Sequence, residues 1–176
     1  QLAAKGHVSR FSHGLRITDA VALDAAQEAA GQLRFEIEAA FSQGLPNTPM
    51  ANSTVRMVSG NFLTARPVGI VDGVDFMHSG LVRRVDAAGI RRAIDIGALV
   101  LLSPFGFSPT GEAFNLTMED VATSTAIALR ADKLLFLTEV PGIRENAADP
   151  ESSIDTELAL ADARRLLAAM PAPTQP

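Results

Sequence analysis

Upstream of Gly44 the apolar residues Leu33, Ile37, Ala40 and Phe41 recur at i, i+4, i+7 and i+8, the spacing of one face of an α-helix. Asp19 and Asp24 flank the start of this stretch, and Gly44 and Pro46 stop it. The pattern predicts one long amphipathic helix with that stripe packed inward. Phe35 lies off the stripe, on a face where water disfavours a large aromatic ring, and is expected in a core or an interface. From residue 53 to 85 the character changes. STVRMVSG, NFLTARPVGIV and VDFMHSGLVRRV are rich in Val, Phe and Thr and punctuated by Gly60, Gly69, Gly73 and Gly80, which predicts short strands and hairpins.

Asp86 is placed to cap a short helix, DAAGIRRAIDIG, closed by Gly97. ALVLLSP then runs apolar without alternation to Pro104, and KLLFLTEV does the same from Lys133 until Pro141-Gly142-Ile143. Such runs predict strands covered on both faces. FGFSPTGEAFNL reads as a loop or hairpin. Thr117 can cap MEDVATSTAIALRA, with Glu119 and Asp120 in the first turn where the helix dipole favours acids. A further Ala/Leu-rich helix is predicted over 155–170, before a Pro-rich tail, MPAPTQP, of linker character. Helix, buried strand, helix, buried strand is the rhythm of βαβ units. The expected architecture is therefore an α/β sandwich around a mainly parallel sheet. Strands 98–103 and 133–138 should run parallel, joined by the helix after Thr117, with the hairpins of 53–85 as an insertion.

The chain has 176 residues, the size of one domain or part of one. Its opening, QLAAKGHVSRFSHG, reads like the middle of a domain, so an N-terminus lying inside a domain is expected. With 47% hydrophobic and 20% charged residues there is apolar surface for a core, which excludes disorder as the main state. The absence of Cys excludes disulfide scaffolds, thiolate metal sites and thiol nucleophiles, and fits a reducing compartment. A net charge of -5, from 15 Lys+Arg against 20 Asp+Glu, lacks the basic footprint of a nucleic-acid binder. Small molecules or protein partners are expected instead. No apolar run reaches the ~20 residues needed to span a bilayer, and the N-terminus has no signal-peptide pattern. The reading is cytoplasmic, with no membrane partner.

His7, His13 and His78 stand at no metal-ligand spacing, so no metal is expected. Ser59-Gly60-Asn61 and Asp72-Gly73 are turn sequences rather than phosphate-binding loops, and no serine has a nucleophile-elbow context. Two constellations remain. In GLRITD, Arg16 stands just before a helix N-terminus, where a guanidinium and free backbone N–H groups can clamp a carboxylate. The alternative is a surface pair of Arg16 with Asp19, and a capping Thr18 or Asp19. In EAFNLTMED, Asn115 and a pair of acids gather at the start of the next long helix, where ordinary capping is the competing explanation.

These segments resemble the amino-acid kinase family, and within it the kinase-like domain of the N-acetylglutamate synthases, over nearly the whole chain. The resemblance implies that Arg16 holds a carboxylate of N-acetylglutamate and that Asn115, matching the first residue of Asn-x-Asn-Ala-Asp, contacts the same ligand. LLFLTEVPGI looks like the family's Leu-Thr-Asp-x-x-Gly-Val strand and turn beside the nucleotide site. Thr117, Met118 and Glu119 depart from the kinase motif, Glu119 falling where the kinases carry the Asp that organises their catalytic lysines, and by that match Glu119 is a further candidate ligand-binding residue. The block VSGNFLTARPVGIVDGVDFMHSGLVRRVD is similar to the synthase version of the insertion. The kinases' first strand, with its Lys and Gly-Gly loop, and a second Gly-rich turn have no match in this sequence, and phosphoryl transfer depends on such groups.

By this resemblance the chain is a regulatory and oligomerising part of an enzyme of arginine biosynthesis. It would have no catalytic residue and no cofactor of its own, acetyl-CoA being the substrate of a separate acetyltransferase domain. The resemblance further implies arginine as effector, with Lys133 matching one residue of that site, glutamate or N-acetylglutamate as small-molecule partners, and a homo-oligomer. Lys133 reads equally well as a solvated lysine at a strand start. A piece of an acetylglutamate kinase and a stand-alone ligand-binding or dimerisation module are the other readings.

Overall fold

A computed structural model describes residues 7–43, 47–49, 55–139, 142–143, 154 and 157–169. Gly44, Pro46, residue 53, Pro141, residue 155, Met170, the Pro-rich tail and the opening residues lie outside them. The chain divides into two units, Gln1–Leu134 and Leu135–Pro176.

The first unit opens with β1 (Arg10–Ser12) and β2 (Leu15–Ile17), an antiparallel hairpin pairing Phe11 with Arg16. Its turn residues His13 and Gly14 both take positive φ, 51° and 73°. This is the tight-turn conformation that matches strand twist. Asp19 then caps helix α1 (Ala20–Ser42), its Oδ1 accepting the Ala22 N–H at 2.9 Å. Strands β3 (Met57–Ser59), β4 (Leu63–Pro67), β5 (Ile70–Val71), β6 (Val74–Asp75) and β7 (Gly80–Val85) follow, as the β-rich composition of that stretch predicts. Helix α2 (Ala87–Asp95) is capped by Asp86, and β8 (Leu99–Leu101) leads into a hairpin of β9 (Phe105–Phe107) and β10 (Ala113–Asn115). Thr117 caps helix α3 (Met118–Leu129), its Oγ1 accepting the Asp120 N–H at 3.2 Å. The second unit holds helix α4 (Leu160–Ala169), inside the span predicted for it.

The α/β class stands, with parallel and antiparallel pairings mixed. β3 and β8 pair in parallel, while β10-β9-β4-β7 form a sheet in which only β9 and β4 run parallel. Leu63 and Ala65 of β4 pack with Phe114, Leu116 and Val121 as the core, and Val82, Val85 and Leu102 close over it. Packing there is tight enough to require glycine. A Cβ on Gly80 would lie 2.6 Å from Phe114 Cβ and 3.1 Å from the Arg66 carbonyl oxygen. Between Thr64 and Ala65 the β4–β7 register shifts: Thr64 faces Arg84 and Ala65 faces Val82, leaving Arg83 as the extra residue of a β-bulge. The carboxylate of Asp120, in the first turn of α3, accepts the Val82 N–H at 2.7 Å and holds the bulged strand.

Two expectations are corrected. The stripe on α1 is not packed inward along its length. Ala22 and Ala25 are the buried residues of the helix, whereas Leu33 of the stripe is 56% exposed, and Phe35, off the stripe, is 61% exposed and so lies in no core of this unit. Helical period reports which residues share a face; whether another layer covers that face depends on the fold. Residues 133–138 form no strand, and Lys133, Leu134, Leu135, Phe136 and Leu137 are exposed. Among the described residues β8 pairs only with β3. An apolar run becomes a strand only where a neighbouring strand completes its ladder, and no described strand pairs with 133–138. The parallel partner of β8 is β3, reached through the intervening hairpins and α2.

Candidate functional site

Ser79 is the junction of the site. It is 6% exposed, and Thr18 is fully buried. The Ser79 hydroxyl donates to the Arg16 carbonyl oxygen at 2.5 Å and accepts the Thr18 N–H at 3.0 Å. It also lies 3.0 Å from the Thr18 hydroxyl. A serine carries one hydroxyl proton, so when Ser79 donates to Arg16 the Thr18 hydroxyl can supply the proton between the two oxygens. The Asn115 side-chain Nδ2 then donates to Thr18 Oγ1 at 3.2 Å. Main-chain bonds run alongside: the His78 N–H reaches the Thr18 carbonyl at 2.9 Å, and the Asn115 N–H reaches the His78 carbonyl at 2.9 Å. Arg16's strand, Ser79 at the approach to β7, and Asn115 at the end of β10 are thereby tied into one network.

The Arg16 side chain is half-buried. Its guanidinium donates to Ser9 Oγ and lies 5.0 Å from the centroid of the Phe11 ring, which fixes the direction of the fork. No carboxylate pairs with it among the described residues, so donors remain for an anion. The expected alternative partner, Asp19, is engaged elsewhere. Its Oδ2 lies 2.8 Å from His7 Nε2 while Oδ1 caps α1. The Ala22 N–H, and next the His7 ring, hold the Asp19 carboxyl below the ordinary aspartate value.

Glu119 and Lys133 do not join this network. Glu119 is exposed in the first turn of α3, where the dipole favours it, and Lys133 is exposed beyond that helix. A cleft of about 290 Å³ opens beside α1 at the carboxyl ends of β3 and β8, where Ser59, Gly60, Ser103, Gly31 and Arg34 line it. Carboxyl ends of parallel strands are the usual ligand edge of α/β sheets. Arg16 and Asn115 are not among its lining residues.

Arg16 and Asn115 are legible in the sequence, Thr18 only as a cap, and Ser79 not at all. Ser79 carries no local signature, because its side-chain partners lie 61 and 63 residues away.

The sequence signature of the amino acid kinase family matches residues 1–167. The chain is 58% identical over 160 residues to an amino-acid acetyltransferase of Ralstonia nicotianae, covering 91% of this chain and 36% of that protein. The fold is similar to that of N-acetylglutamate synthase from Neisseria gonorrhoeae complexed with coenzyme A and L-arginine, with a TM-score of 0.86 and 37% identity. That match covers 96% of this chain and 39% of that one. The same enzyme complexed with coenzyme A and N-acetyl-glutamate matches with a TM-score of 0.82 and 38% identity, over 97% of this chain and 37% of that one. The chain thus spans little more than a third of the proteins it resembles.

Proposed function

The chain belongs to the amino acid kinase family, and on that footing we propose that it is the kinase-like domain of an N-acetylglutamate synthase, the enzyme that acetylates glutamate from acetyl-CoA. The observation that carries this reading is the bonded path from Arg16 through Ser79 and Thr18 to Asn115. It sets a guanidinium fork and an amide on one support, a combination suited to an amino-acid carboxylate. Acetyl transfer itself falls to the part of such enzymes that this chain does not span. The role of this domain is to respond to arginine and to hold subunits together in the cytoplasm. Lys133 contributes to the arginine site, and the large apolar side chains of Leu33 and Phe35, exposed on different sides of α1, support self-association.

The kinase alternative is disfavoured by Thr117, Met118 and Glu119, which replace the Asn-Ala-Asp that organises phosphoryl transfer in the kinases. Titration calorimetry with N-acetylglutamate tests the reading. Arg16→Lys keeps the charge and loses the two-pronged donor, a change worth about 1.5 kcal/mol or roughly tenfold in affinity. Carboxylate binding indifferent to Arg16 refutes it.

A further inference from the structure

The bulge in β7 has placed two arginines where a regular strand would place one. In an unbroken strand Arg83 and Arg84 would point to opposite faces. Here Thr64 pairs with Arg84 and Ala65 with Val82, so Arg83 is the extra residue, and both arginines line the same groove of about 720 Å³. Both are exposed, and among the described residues neither has an ion-pair partner. Asn61 and Thr64 line the groove as neutral donors, Phe107 forms an aromatic wall beside them, and no carboxylate is among the lining residues.

This arrangement works against the surface it occupies. Like charges side by side on a strand repel, and a chain of net charge -5 has acidic side chains to spare for neutralising them. Solubility needs no bulge. The Asp120 carboxylate nevertheless bonds the Val82 N–H at 2.7 Å and the Ser124 hydroxyl at 3.0 Å, so the bulge is anchored from α3. Bulges re-aim side chains, and here the result is a concentration of positive charge over an open groove of small-molecule size.

We propose that the Arg83–Arg84 bulge is a binding site for a small phosphorylated anion, with the two guanidinium groups holding its phosphate oxygens and Phe107 facing any ring it carries. Guanidinium forks match phosphate oxygens two at a time, and two adjacent forks suit a ligand with more than one phosphate charge. The site is separate from the Arg16–Asn115 network and does not depend on the function proposed for it.

The test is titration of the 176-residue chain with inorganic pyrophosphate and with ADP at low salt, since screening weakens exposed charge pairs. Arg83→Gln combined with Arg84→Gln should lower pyrophosphate affinity at least tenfold, while Arg92→Gln, on α2 outside the groove, leaves it within twofold. ADP should bind more tightly than pyrophosphate, and Phe107→Ala should remove that advantage. Circular dichroism confirms that each variant is folded. Three results overturn the proposal: undiminished pyrophosphate binding in the double variant, no binding in the wild type at roughly millimolar ligand, or citrate binding as tightly as pyrophosphate.

Discussion

Replacing Ser79 with Ala removes one oxygen from a site where nothing else can take its place. The Thr18 N–H, whose acceptor is Ser79 Oγ at 3.0 Å, is left without a partner in a residue that is fully buried. A stranded buried donor costs about 1–3 kcal/mol. The Arg16 carbonyl also loses the donor now 2.5 Å away, adding about 0.5–1.5 kcal/mol. The expected destabilisation is about 2–4 kcal/mol, or a Tm lowered by about 5–15 °C for a chain of this size. Asn115→Ala provides the comparison. It removes one bond of 3.2 Å from a half-buried amide while Thr18 keeps Ser79, so its effect should stay at about 0.5–1.5 kcal/mol. Thermal unfolding followed by circular dichroism reads both variants. A Ser79→Ala protein melting within about 1 °C of wild type, or one more stable than Asn115→Ala, shows that the junction has been misplaced.

Gly80→Ala forces a Cβ to 2.6 Å from Phe114 Cβ, and calorimetric unfolding should show a loss of about 1–3 kcal/mol. Because Asp19 is held below its ordinary value of 3.8, its contribution to stability is complete above that value and lost as pH falls through the lower folded-state pKa. Asp19→Asn should therefore flatten the acid limb of a Tm-against-pH curve, and an unchanged limb counts against the cap and the His7 contact as its cause. Sedimentation velocity should show the wild-type chain as a dimer or larger assembly at roughly tens of micromolar, and Phe35→Glu, on the exposed face of α1, should shift it to monomer.

What could be read in the sequence was whatever short-range physics decides. Asp19, Asp86 and Thr117 each cap the helix that follows, because a short polar side chain needs only the N–H groups two or three residues ahead. The β-rich stretch resolves into the short strands and hairpins that its composition predicts. Coverage was not legible. Leu33 and Leu135 have the side chains of core residues and stand exposed, since burial is decided by what packs opposite. Nor was Ser79 legible, a small hydroxyl residue between His78 and Gly80 with no spacing to betray its partners. The bulge was hidden for a related reason: Arg83 and Arg84 look like any basic pair until β4 fixes the register.

The network around Ser79 also dictates when in folding the site comes into being. The side-chain bonds of Ser79 and Asn115 that build it join residues separated by 61, 63 and 97 positions. Hairpins such as β1–β2 and β5–β6 close within microseconds, whereas contacts this distant must wait until long loops have lost their entropy. The Arg16–Asn115 support is thus a late product of folding. Amide protons such as those of Thr18 and His78 should exchange through openings close to global unfolding, and a ligand gripping both ends of the network would slow unfolding of the whole unit rather than of one loop.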